Sequence, residues 1–189
     1  MQTVYSNPLR KNFSDVDSKN WTTEVKIHKK EKYFGCTGKM HYDLLLNNNP
    51  NAIVFSLKFP ATVLPKNPIP ETEKIYDFVT FAQNCSKKKG TFDAIAAIAI
   101  LKNRYPTVTL NVCGARDEGS TQIMDNIIHN SNLEKNIVFT DFFEKQIDLF
   151  HHLKKARFAV LPIKLDIISS TVSQAMALGL PVVTNITSG

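Results

Sequence analysis

Three consecutive hydroxyl residues, Ser169, Ser170 and Thr171, lie between an apolar run that ends at Pro162 and a periodic segment that ends at Gly179. Ser and Thr are favoured where helices begin, because their oxygens accept from amides of the first turn. The segment after them sets Val172, Ala175, Met176 and Gly179 at the 3- and 4-residue spacing of one helical face. A helix start leaves N–H groups without intrahelical acceptors and carries the positive end of the dipole. At the carboxyl end of a parallel strand, that arrangement holds an anion such as phosphate. Plain capping accounts for the same three residues without a ligand. Lys87, Lys88 and Lys89, just before Gly90, form a second candidate. A cation fixed beside a phosphate stabilises negative charge that develops there, while the competing reading is a solvated turn. Asp166, in the loop before the hydroxyls, and Gln174, four residues after Ser170, can face the same crevice.

The elements that must position these residues follow from the apolar pattern. From Ile75 onward the chain alternates short apolar runs with helical periods. Strands are expected at Ile75–Ala82, Val108–Cys113, Ile137–Thr140, Phe158–Leu161 and Pro181–Thr184. The last two read as buried. Between them, helices are expected at Thr91–Tyr105 (Ile95, Ile98 and Leu101 inward), at Ser120–Ser131 (Ile123, Ile127 and Ile128) and at Lys145–Lys154 (Ile147, Phe150 and Leu153). A fourth follows Thr171. This alternation predicts an α/β fold, a doubly wound parallel sheet with right-handed crossovers.

Upstream the signals are weaker. Residues 1–23 read as irregular, with a strand near Gln2–Tyr5. Lys32–Cys36 and Ala52–Phe55 read as short strands around a helix at Thr37–Leu46, with Met40, Tyr42 and Leu44 inward. Asn47-Asn48-Asn49-Pro50 ends that helix. Four prolines at 60, 65, 68 and 70 exclude helix or central strand, so residues 59–74 are expected to be a linker.

Composition narrows the class. Hydrophobic residues make up 43% of 189, enough for a packed core, and no run of about 18 apolar residues suggests a membrane span. The N-terminus shows no signal core, which points to a cytoplasmic protein. Cys36, Cys85 and Cys113 are odd in number and scattered, as reduced thiols are. The net charge of +6 suits an anionic ligand or membrane face; the lysines lack interleaved aromatics, which argues against nucleic acid. His28, His41, His129, His151 and His152 have no metal-ligand spacing, and no metal site is expected. Walker, GxGxxG and Ser-His-Asp patterns are absent from the sequence.

The run Gln174-Ala175-Met176-Ala177-Leu178-Gly179-Leu180-Pro181-Val182-Val183 resembles the signature of the family 4 retaining glycosyltransferases (glycosyl transferases group 1). The likeness extends from about Glu71 to Gly189, through Phe78-Val79-Thr80-Phe81, Lys89-Gly90, Tyr105-Pro106 and Leu110–Gly114. It implies half of a GT-B fold: residues 1–58 a remnant of the N-terminal domain, 59–74 the interdomain linker, 75–189 an incomplete C-terminal domain. The chain is thus expected to be truncated at both ends and to turn over little alone. The resemblance further implies a nucleoside-diphosphate-sugar donor, a sugar or lipid-linked acceptor hydroxyl, retention of configuration, no cofactor, and peripheral contact with the inner membrane face as an open option. In its terms Lys89 neutralises the leaving phosphate, Ser169, Ser170 and Thr171 cradle it, Asp166 meets the sugar, and Gln174 meets the ribose. The sequence departs from the family at Asn84, where an arginine is usual, at Gln174, where glutamate is usual, and at Ile167-Ile168-Ser169, which replaces a Gly-Phe-Gly loop. These departures favour the alternative of a Rossmann-like binding or interaction domain without transfer activity.

Overall fold

A computed structural model of the chain describes residues 11, 14–57, 65, 68–165 and 169–185. They divide into two compact units. One holds the described residues up to 57 with 164–165 and 169; the other holds those from 65 to 163 and from 170 to 185.

The first unit opens with a helix, α1 (Asp15–Lys30), where the sequence was expected to be irregular. Its apolar residues form no stripe, so the periodic signal fails. Its ends explain it instead. The Ser14 side chain accepts from the Asp17 amide, Asp15 and Asp17 occupy the first turn, and His28, Lys29 and Lys30 the last, matching the helix dipole at both ends. The expected strand near Gln2–Tyr5 lies outside the described residues. Then come β1 (Tyr33–Cys36), α2 (Lys39–Asn48) and β2 (Ile53–Ser56), with β1 and β2 parallel and Tyr33 opposite Ile53. The buried face of α2 is His41 and Leu45, one residue on from the expected set; Met40 and Tyr42 are exposed. Phe34, Cys36 and Leu45 form the small core, with Ile27, Ala52 and Val54 packed on it.

The second unit carries β3 (Tyr76–Asn84), a single 3₁₀ turn at Lys87–Lys89, α3 (Thr91–Lys102), β4 (Leu110–Ala115), α4 (Glu118–Asn130), β5 (Ile137–Thr140), α5 (Gln146–Leu153), β6 (Ala156–Leu161), α6 (Ser170–Ala177) and β7 (Val182–Thr184). All five strands are parallel, in the order β5-β4-β3-β6-β7. The order reverses between β3 and β6, the switch point of a doubly wound sheet, where ligands bind outside the carboxyl ends of the strands. One core cluster runs under β3, β6, α5 and α6 and includes Val79, Phe81, Phe150, Leu161 and Ala175. The other lies between β3, β4, α3 and α4 and includes Ile95, Ile98, Leu110, Val112 and Met124.

Several predicted faces are corrected. Met124 and Ile128 are the buried pair of α4, and Ile123 is exposed; α5 buries Phe150 and Leu153 but not Ile147. α3 ends at Lys102, short of Tyr105. Neither β6 nor β7 is buried on both faces: Phe158 is exposed, stacked beside Phe78 at 5.7 Å between ring centroids, and Val183 is exposed because β7 has a described neighbour only in β6. In the expected linker, residues 59–64 and 66–67 lie outside the described residues. Beyond them the chain is tied to the second unit: Ile69 packs on its core, Ile75 N donates to Lys155 O at 2.9 Å, and Lys74 Nζ donates to Lys154 O at 2.7 Å.

Candidate functional site

A cavity of about 360 Å³ opens at the carboxyl ends of the sheet, wholly within the second unit. Phe81, Ala82 and Gln83 from the end of β3 form one wall. Cys113 and Gly114 from β4 and Phe142 and Phe143 beyond β5 form another. Leu149 of α5 and Ser170, Thr171 and Gln174 of α6 complete the lining. The residues of α6 lie on one face because they are three and four positions apart. β4 can approach β3 closely at the cavity wall because residue 114 has no side chain: Gly114 has φ +140°, and a Cβ on it would stand 1.9 Å from the Ala82 carbonyl oxygen.

The expected site residues therefore separate into groups. Ser170, Thr171 and Gln174 share the cavity. Lys89 is half-buried in the neighbouring 3₁₀ turn and does not line it. That turn is nevertheless fixed against the end of β6: Gly90, at φ +73°, leaves so little room that a Cβ would lie 2.0 Å from the Pro162 carbonyl oxygen. Ser169, directly before α6, is buried. Asp166, with Ile167 and Ile168, lies outside the described residues. Gln83, next to Asn84, lines the cavity, and Asn84 does not.

The electrostatics are mostly those of neutral donors and acceptors. None of the eleven lining residues carries a carboxylate or a cation. Burial, and then the neighbouring Cys85 thiol, push Cys113 up to about 12, so it is an inert thiol at neutral pH. Behind the cavity a buried polar chain braces the wall. Asn111 Nδ2 donates to Thr140 Oγ1 at 2.8 Å and to Val138 O at 3.1 Å. Its Oδ1 is left to accept, so His152 Nε2, 2.9 Å away, carries the proton. The His152 ring packs 5.2 Å from that of Phe143. Burial, then Lys155, lower the His152 pKa and keep it neutral. Sequence reasoning missed Gly114, Phe142 and Phe143 as lining residues; with Gln83 they come from three separate strand ends and meet only through the strand order. Among the described residues no group of three His, Cys, Asp or Glu could hold a metal, and no helix is long and apolar enough to cross a membrane.

A parallel sheet in this order, with a polar helix start facing a cavity at its switch point, defines a Rossmann-like half of a GT-B fold. The chain belongs to the family described as glycosyl transferases group 1, which residues 63–189 match. Similar folds occur in TarM of S. aureus, whose structure holds fondaparinux, alpha-GlcNAc-glycerol and UDP (TM-score 0.72, 15% identity, 92% of this chain and 34% of that one). They also occur in the sucrose-phosphate synthase of Thermosynechococcus elongatus (0.70, 16%, 93% and 47%). A third is Anabaena HepE, determined with UDP and glucose (0.64, 16%, 94% and 50%). At these identities the likeness is one of fold, and the chain spans between a third and a half of each protein. No curated protein matches the sequence.

Proposed function

We propose that the chain forms the donor-binding part of a retaining glycosyltransferase of the family 4 type, which transfers a sugar from a nucleoside-diphosphate sugar to an acceptor hydroxyl on a sugar or lipid-linked molecule. The cavity shared by Ser170, Thr171 and Gln174 at the switch point is the observation that carries this reading. The first-turn amides and hydroxyls of α6 receive the diphosphate, where the N–H groups of a helix start and its dipole favour negative charge. Gln174 bonds ribose hydroxyls by donating and accepting. Lys89, in the turn fixed on Pro162, stabilises charge on the departing phosphate, and Asp166 faces the transferred sugar. The positive field in this scheme comes from helix amides and Lys89 rather than from a metal. Transfer needs a second surface to orient the acceptor, so we expect the 189 residues alone to bind donor with little turnover.

The uncharged lining favours a second reading, a domain that binds nucleotide without transfer. Calorimetric titration with UDP- and GDP-sugars, alongside an assay for release of free sugar, separates the two. The first reading expects binding that Lys89→Ala weakens about tenfold or more, the worth of a charge-assisted bond, and a slow sugar release that Lys89→Ala abolishes. Binding that is indifferent to Lys89, with no release, supports the second. A folded chain that binds no nucleoside diphosphate overturns both.

A further inference from the structure

Arg116 stands one residue beyond β4, at the end of the sheet where the cavity opens. Gly114, two residues earlier, lines the cavity, and so does Phe142, next to the Arg116 ion-pair partner Asp141. The guanidinium lies over the Phe139 ring, 4.6 Å from its centroid, and Nη2 donates to Asp141 Oδ1 at 2.7 Å. The Arg116 side chain is 19% exposed and that of Asp141 90%. Nη1 is buried, with no hydrogen-bond partner among the described residues. A donor removed from water without an acceptor is costly, and one that a native structure keeps points to a group that the chain itself does not supply.

Strand order says which part of a ligand that partner is. β4 lies two strands from β6, the strand that leads into α6. At the spacing of strands in a sheet this is about 10 Å. A diphosphate seated on the start of α6 is therefore roughly a nucleoside's length from Arg116, and the group that reaches Arg116 is the base. The ion pair with Asp141 leaves the locality nearly neutral, which suits a carbonyl oxygen better than a second anion.

We propose that Arg116 Nη1 donates to a ring carbonyl of the donor's base, so that Arg116 selects the nucleotide; this rests on the cavity being a nucleoside-diphosphate site. A base with a carbonyl at the edge it presents, uracil or guanine, accepts this bond. A base with an amino group there, cytosine or adenine, meets donor with donor.

Titration of the full chain with UDP, CDP, GDP, ADP and inorganic pyrophosphate tests it. UDP is expected to exceed CDP, or GDP to exceed ADP, by about tenfold or more. Arg116→Met should bring that ratio within about threefold and leave pyrophosphate binding unchanged. Arg116→Lys, which keeps the charge but not the planar fork, should behave as Arg116→Met does. Asp141→Ala alters only an exposed carboxylate; it unties the guanidinium and should cut the ratio by at least half, so it decides the matter if the Arg116 variants fail to fold. A ratio near one in the unaltered chain, or a ratio that no variant moves, overturns the proposal and leaves the nucleotide site standing. Equal losses for all four nucleotides and pyrophosphate also overturn it, making Arg116 a phosphate cation. If none of the four nucleotides binds, the site itself falls, and the proposal with it.

Discussion

The two units bury their polar groups on different terms. In the second unit, two apolar clusters of twelve and eleven buried residues surround a few polar side chains, of which Asn111 bonds to Thr140, Val138 and His152, and Asn136 Nδ2 donates to Pro106 and Val108 carbonyls. In the first unit, three buried apolar residues share the interior with two histidines. His28 is supported by Asn48, whose Nδ2 lies 3.1 Å from His28 Nδ1, and by the edge of Phe34. His41 Nε2 is buried without a partner among the described residues. A large apolar core tolerates satisfied polar groups cheaply. A small one that includes ionisable rings depends on their remaining neutral.

The chain's single tryptophan, Trp21, lies on α1, so its fluorescence follows the first unit while far-ultraviolet dichroism follows both. The largest expected effect is on the apolar side of the contrast. Phe150→Ala removes the bulkiest fully buried side chain among the described residues and should cost about 3–5 kcal/mol in urea unfolding; less than about 1 kcal/mol would mean the second unit does not rest on that cluster. Gly90→Ala should follow, on the order of 3 kcal/mol, because the added Cβ meets the Pro162 carbonyl at a backbone angle costly for alanine. It should also weaken nucleotide binding by shifting the Lys89 turn.

Acid probes the polar side. Burial, then the nearby His41, lower the pKa of His28, and burial lowers that of His41. The unfolded chain therefore takes up protons first as pH falls through about 6.5, the ordinary histidine value. Stability from these two rings is complete above that pH and is lost progressively below it, towards the lowered folded values. The Trp21 signal should respond at higher pH than the main dichroism transition, and His41→Leu should flatten its acid dependence. Coincident transitions would erase the contrast. The smallest effect belongs to the surface. Lys39→Ala removes an exposed pair with Asp43 and should move stability by less than about 0.5 kcal/mol.

The same contrast decides what could be read from the residues alone. The five strands of the second unit were legible because parallel strands are continuous apolar runs punctuated by Gly and Pro. The hydroxyls before α6 were legible because capping chemistry is local. Helix faces slipped by one residue where two adjacent residues could each be apolar, as at Ile123 and Met124, and packing chose between them. α1 was invisible to periodicity but written in Ser14, Asp17 and the basic last turn. Gly114, Phe142 and Phe143 carry no local signal for one site; strand order alone assembles them.

Pairing of β3 with β6 joins Tyr76 to Ala156, eighty residues apart. On a ribosome adding about 5–20 residues per second, the central strand therefore waits at least several seconds for its second neighbour. Throughout that wait Val79 and Phe81 lack the cover of β6 and α6, and the walls built from β3 and β4 stand without α6 opposite them. The cavity is complete only after the last crossover docks, so its formation marks the end of the slow, long-range step of folding.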